Sequence, residues 1–143
     1  MDTILTSCFD DLDASTLYKI LRLRSNVFVV EQNCPYADAD GRDTEPRTLH
    51  LWHEQDGAVI AYLRILSESD HHRIGRVCTD IAWRRRGLAS RLTAAAVAAV
   101  GDGPIRLDAQ LPAVSLYRRH GFSVCGPRFL DDGIPHLPML RRP

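Results

Sequence analysis

One stretch of the chain, residues 74–100, restricts the possible folds more than any other. An apolar segment over residues 74–82 predicts a strand, and an alanine-rich segment over residues 86–100 predicts a helix. The first turn of a helix has unpaired backbone N–H groups and a partial positive charge. Gly87, in the arginine-rich turn between the two segments, lets the backbone come close to a ligand because glycine has no side chain. The sequence therefore predicts an anion site at this turn.

Residues 15–30 predict the first helix, because apolar side chains recur there at helical spacing. Arg24 occupies one position in this series. Further along the chain, the pair Asp56-Gly57 is a strong signal for a tight turn. It separates residues 48–52 from residues 58–66, and these two segments predict the strands of a hairpin.

The second half of the chain predicts three more strands and one short helix. The strands are expected over residues 105–109, 123–126 and 134–140. Pro112 suits the first turn of the helix that follows the first of these strands. Two prolines mark the last strand as a candidate for the edge of the sheet. Since strands and helices are mixed around a β-α-β unit, we expect one α/β (α+β) domain over residues 1–143.

The composition argues against several classes of protein. The formal net charge is zero, which does not favour strong nonspecific binding to nucleic acid. No apolar run approaches the roughly 20 residues that span a membrane, and residues 1–9 lack the basic start and apolar core of a signal peptide. The four cysteines are far apart and show no metal-binding spacing, so we expect reduced thiols in a cytoplasmic protein.

A second segment, residues 107–122, agrees with the first. It reads LDAQLPAVSLYRRHGF and supplies, in this order, Gln110, Tyr117, Gly121 and Phe122. Together with the pattern Arg-x-x-Gly-x-Ala in the turn, this arrangement resembles the GNAT family of acyl-CoA N-acetyltransferases. Residues 24–43 and 129–136 are similar to segments of the ElaA-type subfamily. The resemblance implies a mixed, mostly antiparallel twisted sheet that is flanked by helices and split near the cofactor.

By the same resemblance, the turn binds the pyrophosphate of acetyl-CoA, the acyl donor. Its backbone N–H groups would hold phosphate oxygens, and its arginines would add charge-assisted hydrogen bonds. A local separation of strands would leave backbone groups free for the pantetheine amides, and one such N–H could stabilise the developing oxyanion. The expected cofactor residues are Val77, Cys78, Thr79, Arg84, Arg85, Arg86, Gly87, Leu88, Ala89, Ser90 and Gln110.

Tyr117 is the expected general acid, which protonates the departing thiolate. A phenol of pKa ~10 gives its proton to a thiolate of pKa ~8.5 at a cost of about 2 kcal/mol. This cost is tolerable when the proton moves as the bond breaks. The proton of the amine has three possible routes. Glu31, at the end of the first helix, and His50, on a predicted strand, are candidate bases, and the third route uses no dedicated base.

The loop that follows the first helix is expected to face the acceptor. Arg42 is the sole opposing charge within this loop, whose carboxylates are Glu31, Asp38, Asp40 and Asp43. Such a loop would attract a cationic primary amine. We therefore assign Asp38 and Asp40, together with His50, to substrate binding. The aspartates lack the glutamate that completes an EF-hand calcium loop, and no metal is expected.

These features predict an N-acetyltransferase that moves an acetyl group from acetyl-CoA to a primary amine by direct attack on the thioester. The alternative is a noncatalytic acyl-CoA-binding or regulatory module with the same fold. The motifs do not encode whether the acceptor is a small molecule or a peptide amine, nor whether longer acyl-CoAs are used. A monomer and a homodimer both remain open.

Overall fold

The computed structural model describes residues 3–143, and within them eight strands join in one sheet. The strands are β1 (Thr3–Ser7), β2 (Leu49–Gln55), β3 (Ala58–Ser67), β4 (His72–Thr79), β5 (Ile105–Gln110), β6 (Ser123–Val124), β7 (Phe129–Asp131) and β8 (Ile134–Arg141). Residues 1 and 2, part of the segment 1–9 considered above, lie outside the described residues. No helix within residues 3–143 is long and apolar enough to cross a membrane.

The sheet is open between two of its central strands. The strand order is β1-β2-β3-β4-β5-β8-β6, and β7 also pairs with β8. Neighbouring strands are antiparallel except β4 and β5, which run parallel. This parallel pair begins with His72 beside Ile105 and Arg73 beside Arg106, and then the two strands separate although both continue. The predicted mixed, mostly antiparallel sheet with a central split is therefore confirmed.

Helices flank the sheet on both faces. They are α1 (Ala14–Arg24), a π-helix (Ser25–Glu31), α2 (Leu88–Val100) and α3 (Val114–Arg118). The carboxylate of Asp13 accepts a hydrogen bond from the Thr16 N–H at 2.7 Å and so caps α1. The helix predicted over residues 15–30 is thus a continuous helical segment whose second half widens to π geometry. Such π-helical segments are rare and occur most often near functional sites.

The two faces of the sheet have separate cores. On one face, α2 packs against β2, β3 and β4, with Ala96 fully buried. On the other face, α1 packs against β3 and β4 through Ile20 and Leu23. Because side chains alternate along a strand, Tyr62 of β3 joins the α1 core while its neighbour Leu63 joins the α2 core. Residues of both cores, Val27 on the α1 side and Leu88 on the α2 side, line the opening between β4 and β5, which therefore connects the two sides of the sheet.

The last strand, β8, was expected at the edge of the sheet, and this prediction is wrong. This strand lies between β5 on one side and the short strands β6 and β7 on the other. The Pro138 carbonyl accepts a hydrogen bond from Cys125, just beyond β6, so the proline nitrogen faces the gap between β6 and β7. Pro135 lies one residue beyond the last pair with β5, which joins His136 to Gln110. Both prolines are tolerated because the ladder is interrupted where they occur.

Other differences from the sequence prediction are small. The strands β1 and β7 were not predicted, because segments of five and three residues are too short for alternation to be recognised. The hairpin turn is confirmed, since Asp56 and Gly57 have φ values of 51° and 79°, as a type I′ turn requires. The strand predicted to residue 82 ends at Thr79, where a short 3-10 turn, Ile81–Trp83, begins after the capping Asp80.

Candidate active site

An open cavity of about 1100 Å³ lies where β4 and β5 separate. Its walls come from the π-helix and the following loop on one side, and from the starts of α2 and α3 on the other. The predicted site residues line this cavity with four exceptions, namely Arg86, Asp38, Asp40 and His50. Folding therefore brings together the turn before α2, the separated strand ends and the phenol of Tyr117.

The turn before α2 has the backbone geometry of an anion site. Arg85 and Gly87 both have left-handed φ values, 65° and 76°, and Gly87 is the N-cap of α2. A Cβ at Gly87 would meet no atom of residues 3–143 within 4 Å, so the space around this position is open. The next three residues begin α2, so their N–H groups have no acceptor within the helix. Leu88, Ala89 and Ser90 all line the cavity, where these groups can bind phosphate oxygens.

A β-bulge bends β4 beside the cavity. The register between β3 and β4 shifts at Tyr62 and Arg64, and Arg76 in the bulge has a φ of 53°. Beyond the bulge, residues 77–79 line the cavity where β4 no longer pairs with β5. The expected local separation of strands is confirmed at this place. Binding of pantetheine by these backbone groups stays a prediction.

Tyr117, the expected acid, lies on α3 at the wall of the cavity. The residue is 6% exposed, and its ring packs edge-on against Phe122 with the centroids 6.0 Å apart. Burial raises the pKa of the Tyr117 phenol, and the neighbouring Cys78 adds to this effect. Burial also raises the pKa of the Cys78 thiol. Both groups are therefore protonated at neutral pH, and the phenol holds a proton that it can donate.

Glu31 and Arg84 form an ion pair that connects the two sides of the cavity. The two guanidinium Nη atoms of Arg84 donate to the two carboxylate oxygens of Glu31 at 2.5 and 2.6 Å. The Arg84 Nε also donates to the Thr79 carbonyl at 3.1 Å. The hydrogen bonds from Arg84 lower the pKa of Glu31, which weakens it as a base. Glu31 and Arg84 bind each other here. Until this pair opens, Glu31 cannot accept a proton from the amine and Arg84 cannot bind phosphate.

The acidic loop is not a free anionic surface, and this overturns the basis of the acceptor prediction. Asp38 and Asp43 bind the fully buried Arg24 at 2.9 and 2.8 Å. Asp40 binds the buried Arg64 at 2.6 Å. The sequence prediction counted opposing charges within the loop alone, whereas α1 and β3 supply arginines that neutralise it. The loop therefore has no excess of negative charge with which to attract a cationic acceptor.

The same ionic network extends to the wall of the cavity. Arg76 binds Asp38 at 3.0 Å and Asp40 at 3.3 Å, and its guanidinium lies 5.3 Å from the centroid of the Tyr36 ring. The Tyr36 hydroxyl donates a hydrogen bond to Asp38. Arg64, Arg76 and Tyr36 line the cavity, whereas the two aspartates lie behind them. This part of the cavity therefore presents arginine and tyrosine to a ligand.

Two further assignments are not supported by the structure. His50 is 1% exposed, and its ring nitrogens lie 2.6 Å from the Tyr62 hydroxyl and 3.0 Å from the Asp43 carbonyl. Burial lowers the pKa of His50, which belongs to the ionic network behind the cavity. Arg86 stacks on the ring of Trp83 with its guanidinium 4.6 Å from the centroid. Neither residue lines the cavity, so neither is placed to bind substrate or phosphate there.

Sequence reasoning missed several residues of the site. Arg24 carried a signal, because an arginine among apolar positions of an amphipathic helix indicates a buried charge that needs partners. Arg64 and Arg76 carried none, and His136 carried only its place in the segment 129–136, whose similarity to a subfamily assigned it no role. Their places depend on which strands pair, and His136 lines the cavity because β8 lies between β5 and β7.

Residues 24–142 match the family model described as an acetyltransferase (GNAT) domain. Because this match covers most of the chain, the protein belongs to the GNAT acetyltransferase family, whose members use acetyl-CoA. The family and the fold are those of an acyltransferase.

The relatives confirm the expected similarity to the ElaA-type subfamily. The chain is 36% identical to ElaA of Escherichia coli over 138 residues, which span 92% of this chain and 90% of ElaA. It is 52% identical to a UPF0039 protein of Mycobacterium tuberculosis over 136 residues, which span 92% of this chain and 87% of that protein.

Solved structures show the same fold over nearly the whole chain. An acyl-CoA N-acyltransferase from Pseudomonas aeruginosa superposes with a TM-score of 0.93 at 38% identity, covering 99% of both chains. The crystal structure of Escherichia coli ElaA gives a TM-score of 0.94 at 34% identity, covering 99% of this chain and 100% of ElaA. The fold predicted from the sequence is thus confirmed.

Proposed function

We propose that this protein transfers the acetyl group of acetyl-CoA to a primary amine by direct attack of the amine on the thioester. One observation carries the proposal: three features that this reaction needs line a single open cavity. They are an open helix start for the pyrophosphate, a strand edge without a partner for pantetheine, and a buried phenol for the thiolate. A cavity of this size fits an extended cofactor arm and a second substrate.

The donor is held mainly by backbone groups in this proposal. The N–H groups of residues 88–90 bind the pyrophosphate, and the guanidinium of Arg85 adds charge. Pantetheine runs along residues 77–79 towards Gln110 on the facing strand. Gln110 accepts a hydrogen bond of 3.3 Å from Gln32, a contact long enough to be exchanged for one to the cofactor. Because arginine–phosphate attraction is screened by ions, acetyl-CoA should bind less tightly as salt rises.

Tyr117 completes the reaction by protonating the leaving group. The amine nitrogen forms a bond to the carbonyl carbon, the C–S bond breaks, and the sulfur takes the phenolic proton. The nitrogen loses one proton to solvent, and solvent returns a proton to the phenolate. Burial raises the pKa of Tyr117, which by itself makes the transfer more costly. The same burial disfavours the thiolate of coenzyme A, so its proton affinity rises as well. The difference between the two groups therefore stays near the value for the free groups, about 2 kcal/mol.

A panel of primary amines with acetyl-CoA, followed by release of free thiol, tests the proposed activity directly. Turnover of at least one class of amine is expected. Tight binding of acetyl-CoA without turnover of any amine would instead establish the noncatalytic acyl-CoA-binding module.

Tyr117→Phe tests the acid in the same assay. The change removes one hydroxyl and keeps the ring against Phe122, so acetyl-CoA affinity and folding should be unchanged. We expect kcat to fall by about 100-fold or more, the usual scale for a general acid. Tyr18→Phe is the matched control, because Tyr18 is 68% exposed on α1 and should tolerate the same change without effect. Full kcat in Tyr117→Phe, with chemistry shown to be rate-limiting, would exclude this role.

A further inference from the structure

His136 is a buried imidazole at the cavity that the reaction described above does not use. It is 8% exposed and lies on β8, where it pairs with Gln110 of β5 on one side and with Phe129 of β7 on the other. Its ring stacks on that of Phe129, with the centroids 5.7 Å apart and the planes at 22°. Strand pairing on both sides and the stacked ring hold the imidazole in a defined orientation.

The hydrogen bond at one ring nitrogen defines what the other can do. The Nδ1 atom of His136 lies 2.7 Å from the backbone carbonyl oxygen of Ile134. Because a carbonyl oxygen can only accept, Nδ1 carries the hydrogen. In the neutral ring, Nε2 then has a lone pair and no hydrogen. Nε2 is therefore the ring atom with which His136 can accept a proton from a ligand in the cavity.

His136 and Tyr117 approach the opening from opposite sides of the sheet. Tyr117 and Ala109 belong to the core beneath α2, so the alternate position Gln110 and its cross-strand partner His136 face the other way. Gln110 contacts Gln32, which directly follows the π-helix, and this contact identifies that side. The leaving sulfur needs an acid and the incoming nitrogen needs a base, and these two residues provide one such group on each side of the opening.

The other candidate bases are occupied. Both carboxylate oxygens of Glu31 bind Arg84. Both ring nitrogens of His50 bind groups of the protein, the Tyr62 hydroxyl and the Asp43 carbonyl. Among the three, His136 alone combines a position on the cavity wall with a ring nitrogen that can accept a proton.

We propose that His136 is the general base and that the acceptor amine reaches the thioester from the π-helix side. This inference rests on the acetyl transfer proposed above. The Nε2 atom takes one proton from the bound ammonium group, and the neutral nitrogen then attacks the carbonyl carbon. As the C–S bond breaks, the sulfur takes the proton of Tyr117, and the second proton of the nitrogen returns to the phenolate through solvent. His136 releases its proton to solvent before the next turnover.

The wall of the cavity on the β8 side carries further ionisable groups. Asp131 and Asp132, at the turn between β7 and β8, line the same cavity as His136. On β5, Asp108 is bound to Arg73 of β4 at 3.2 Å, so this pair contributes little net charge. The thiol of Cys34, whose sulfur lies 3.8 Å from the Asp132 carbonyl, completes this wall.

The test is the pH dependence of kcat/KM for an amine that the wild type acetylates, compared with His136→Gln. For the wild type, kcat/KM should rise with pH through an ionisation that lies below that of the amine itself. His136→Gln should lose this step and be slower at pH 7 by about 100-fold or more. Its rate should instead rise with pH towards the amine's own pKa of ~10.4. His71→Gln is the control, because His71 binds Asp70 outside the cavity and should leave the profile unchanged.

A second measurement uses the wild-type protein and therefore does not require that His136→Gln folds. The pKa of the His136 ring in the free wild-type protein, followed by ¹⁵N NMR, should equal the pKa seen in kcat/KM. An unchanged pH profile in folded His136→Gln, or a difference of more than about one unit between the two pKa values, would overturn the assignment while leaving acetyl transfer intact. Absence of turnover in the wild type would overturn the acetyl transfer and the base together.

Discussion

Replacing Gly87 by aspartate tests the proposed phosphate site with little effect on the rest of the fold. Gly87 has a φ of 76°, and a Cβ there meets no atom within 4 Å. The new side chain therefore costs only the left-handed backbone strain, about 1–2 kcal/mol. A negative charge at a helix start is itself favourable. The Gly87→Asp protein should fold with slightly lower stability.

The expected loss of affinity follows from Coulomb's law. A carboxylate about 5 Å from one phosphate charge, at an effective dielectric constant of about 20, raises the energy of the complex by about 3 kcal/mol. This corresponds to more than a 100-fold weaker Kd, since every 1.4 kcal/mol is about tenfold. Higher salt should reduce the difference, because the repulsion is screened.

Gly57→Asp is the matched control for this experiment. Gly57 has a φ of 79° and open space around its Cβ position, but it lies in the hairpin between β2 and β3, away from the cavity. Thermal unfolding should show similar losses of stability in both variants. Calorimetric titration with acetyl-CoA should show lost affinity in Gly87→Asp alone. Equal affinity in the wild type and a folded Gly87→Asp protein would refute the phosphate site.

Three further predictions concern charged pairs. Glu31→Gln frees Arg84, so calorimetry should show severalfold tighter acetyl-CoA binding; a fall in kcat at unchanged affinity would instead identify Glu31 as a base. Arg24→Leu removes a buried cation from Asp38 and Asp43, which keep only Arg76 and Arg64 as partners, and unfolding should show a loss of about 3 kcal/mol, or roughly 10 °C in Tm; an unchanged Tm would contradict this. Burial raises the pKa of Asp43, but hydrogen bonds and charges from arginines outweigh it and lower the pKa. Its contribution to stability should therefore be complete above about pH 4 and lost as the pH falls through the depressed pKa, measured by acid titration of circular dichroism.

The buried arginine network also has a structural consequence for the site. Arg24 at the end of α1 joins two aspartates of the following loop, and Arg76 joins the same loop to the bulge of β4. These bonds hold the π-helix side of the cavity against the sheet. The carboxylates that the sequence assigned to the acceptor therefore help to fix the shape of this side of the cavity.

Local features of the site could be predicted from the sequence because short-range sterics decide them. A glycine before an alanine-rich helix specifies the open turn at Gly87, and Asp56-Gly57 specifies a hairpin whose two residues need positive φ. Hydrophobic periodicity predicted which segments are strands and which are helices, and the motif around Tyr117 predicted the family of the protein. The segments β1 and β7 were too short for any period to be recognised.

The sequence by itself thus determined the types of the elements, the glycine turn before α2 and the place of Tyr117 in its motif, whereas the split sheet followed from the resemblance to the family. Only the tertiary structure decided which charges are paired and which polar atoms reach the cavity. Asp38 and Asp40 are neutralised by arginines from other elements, and His136 faces the opening because β8 lies inside the sheet despite its prolines. The physical reason is range: turn geometry and periodicity involve neighbours in sequence, whereas ion pairs and strand order join residues far apart in the chain.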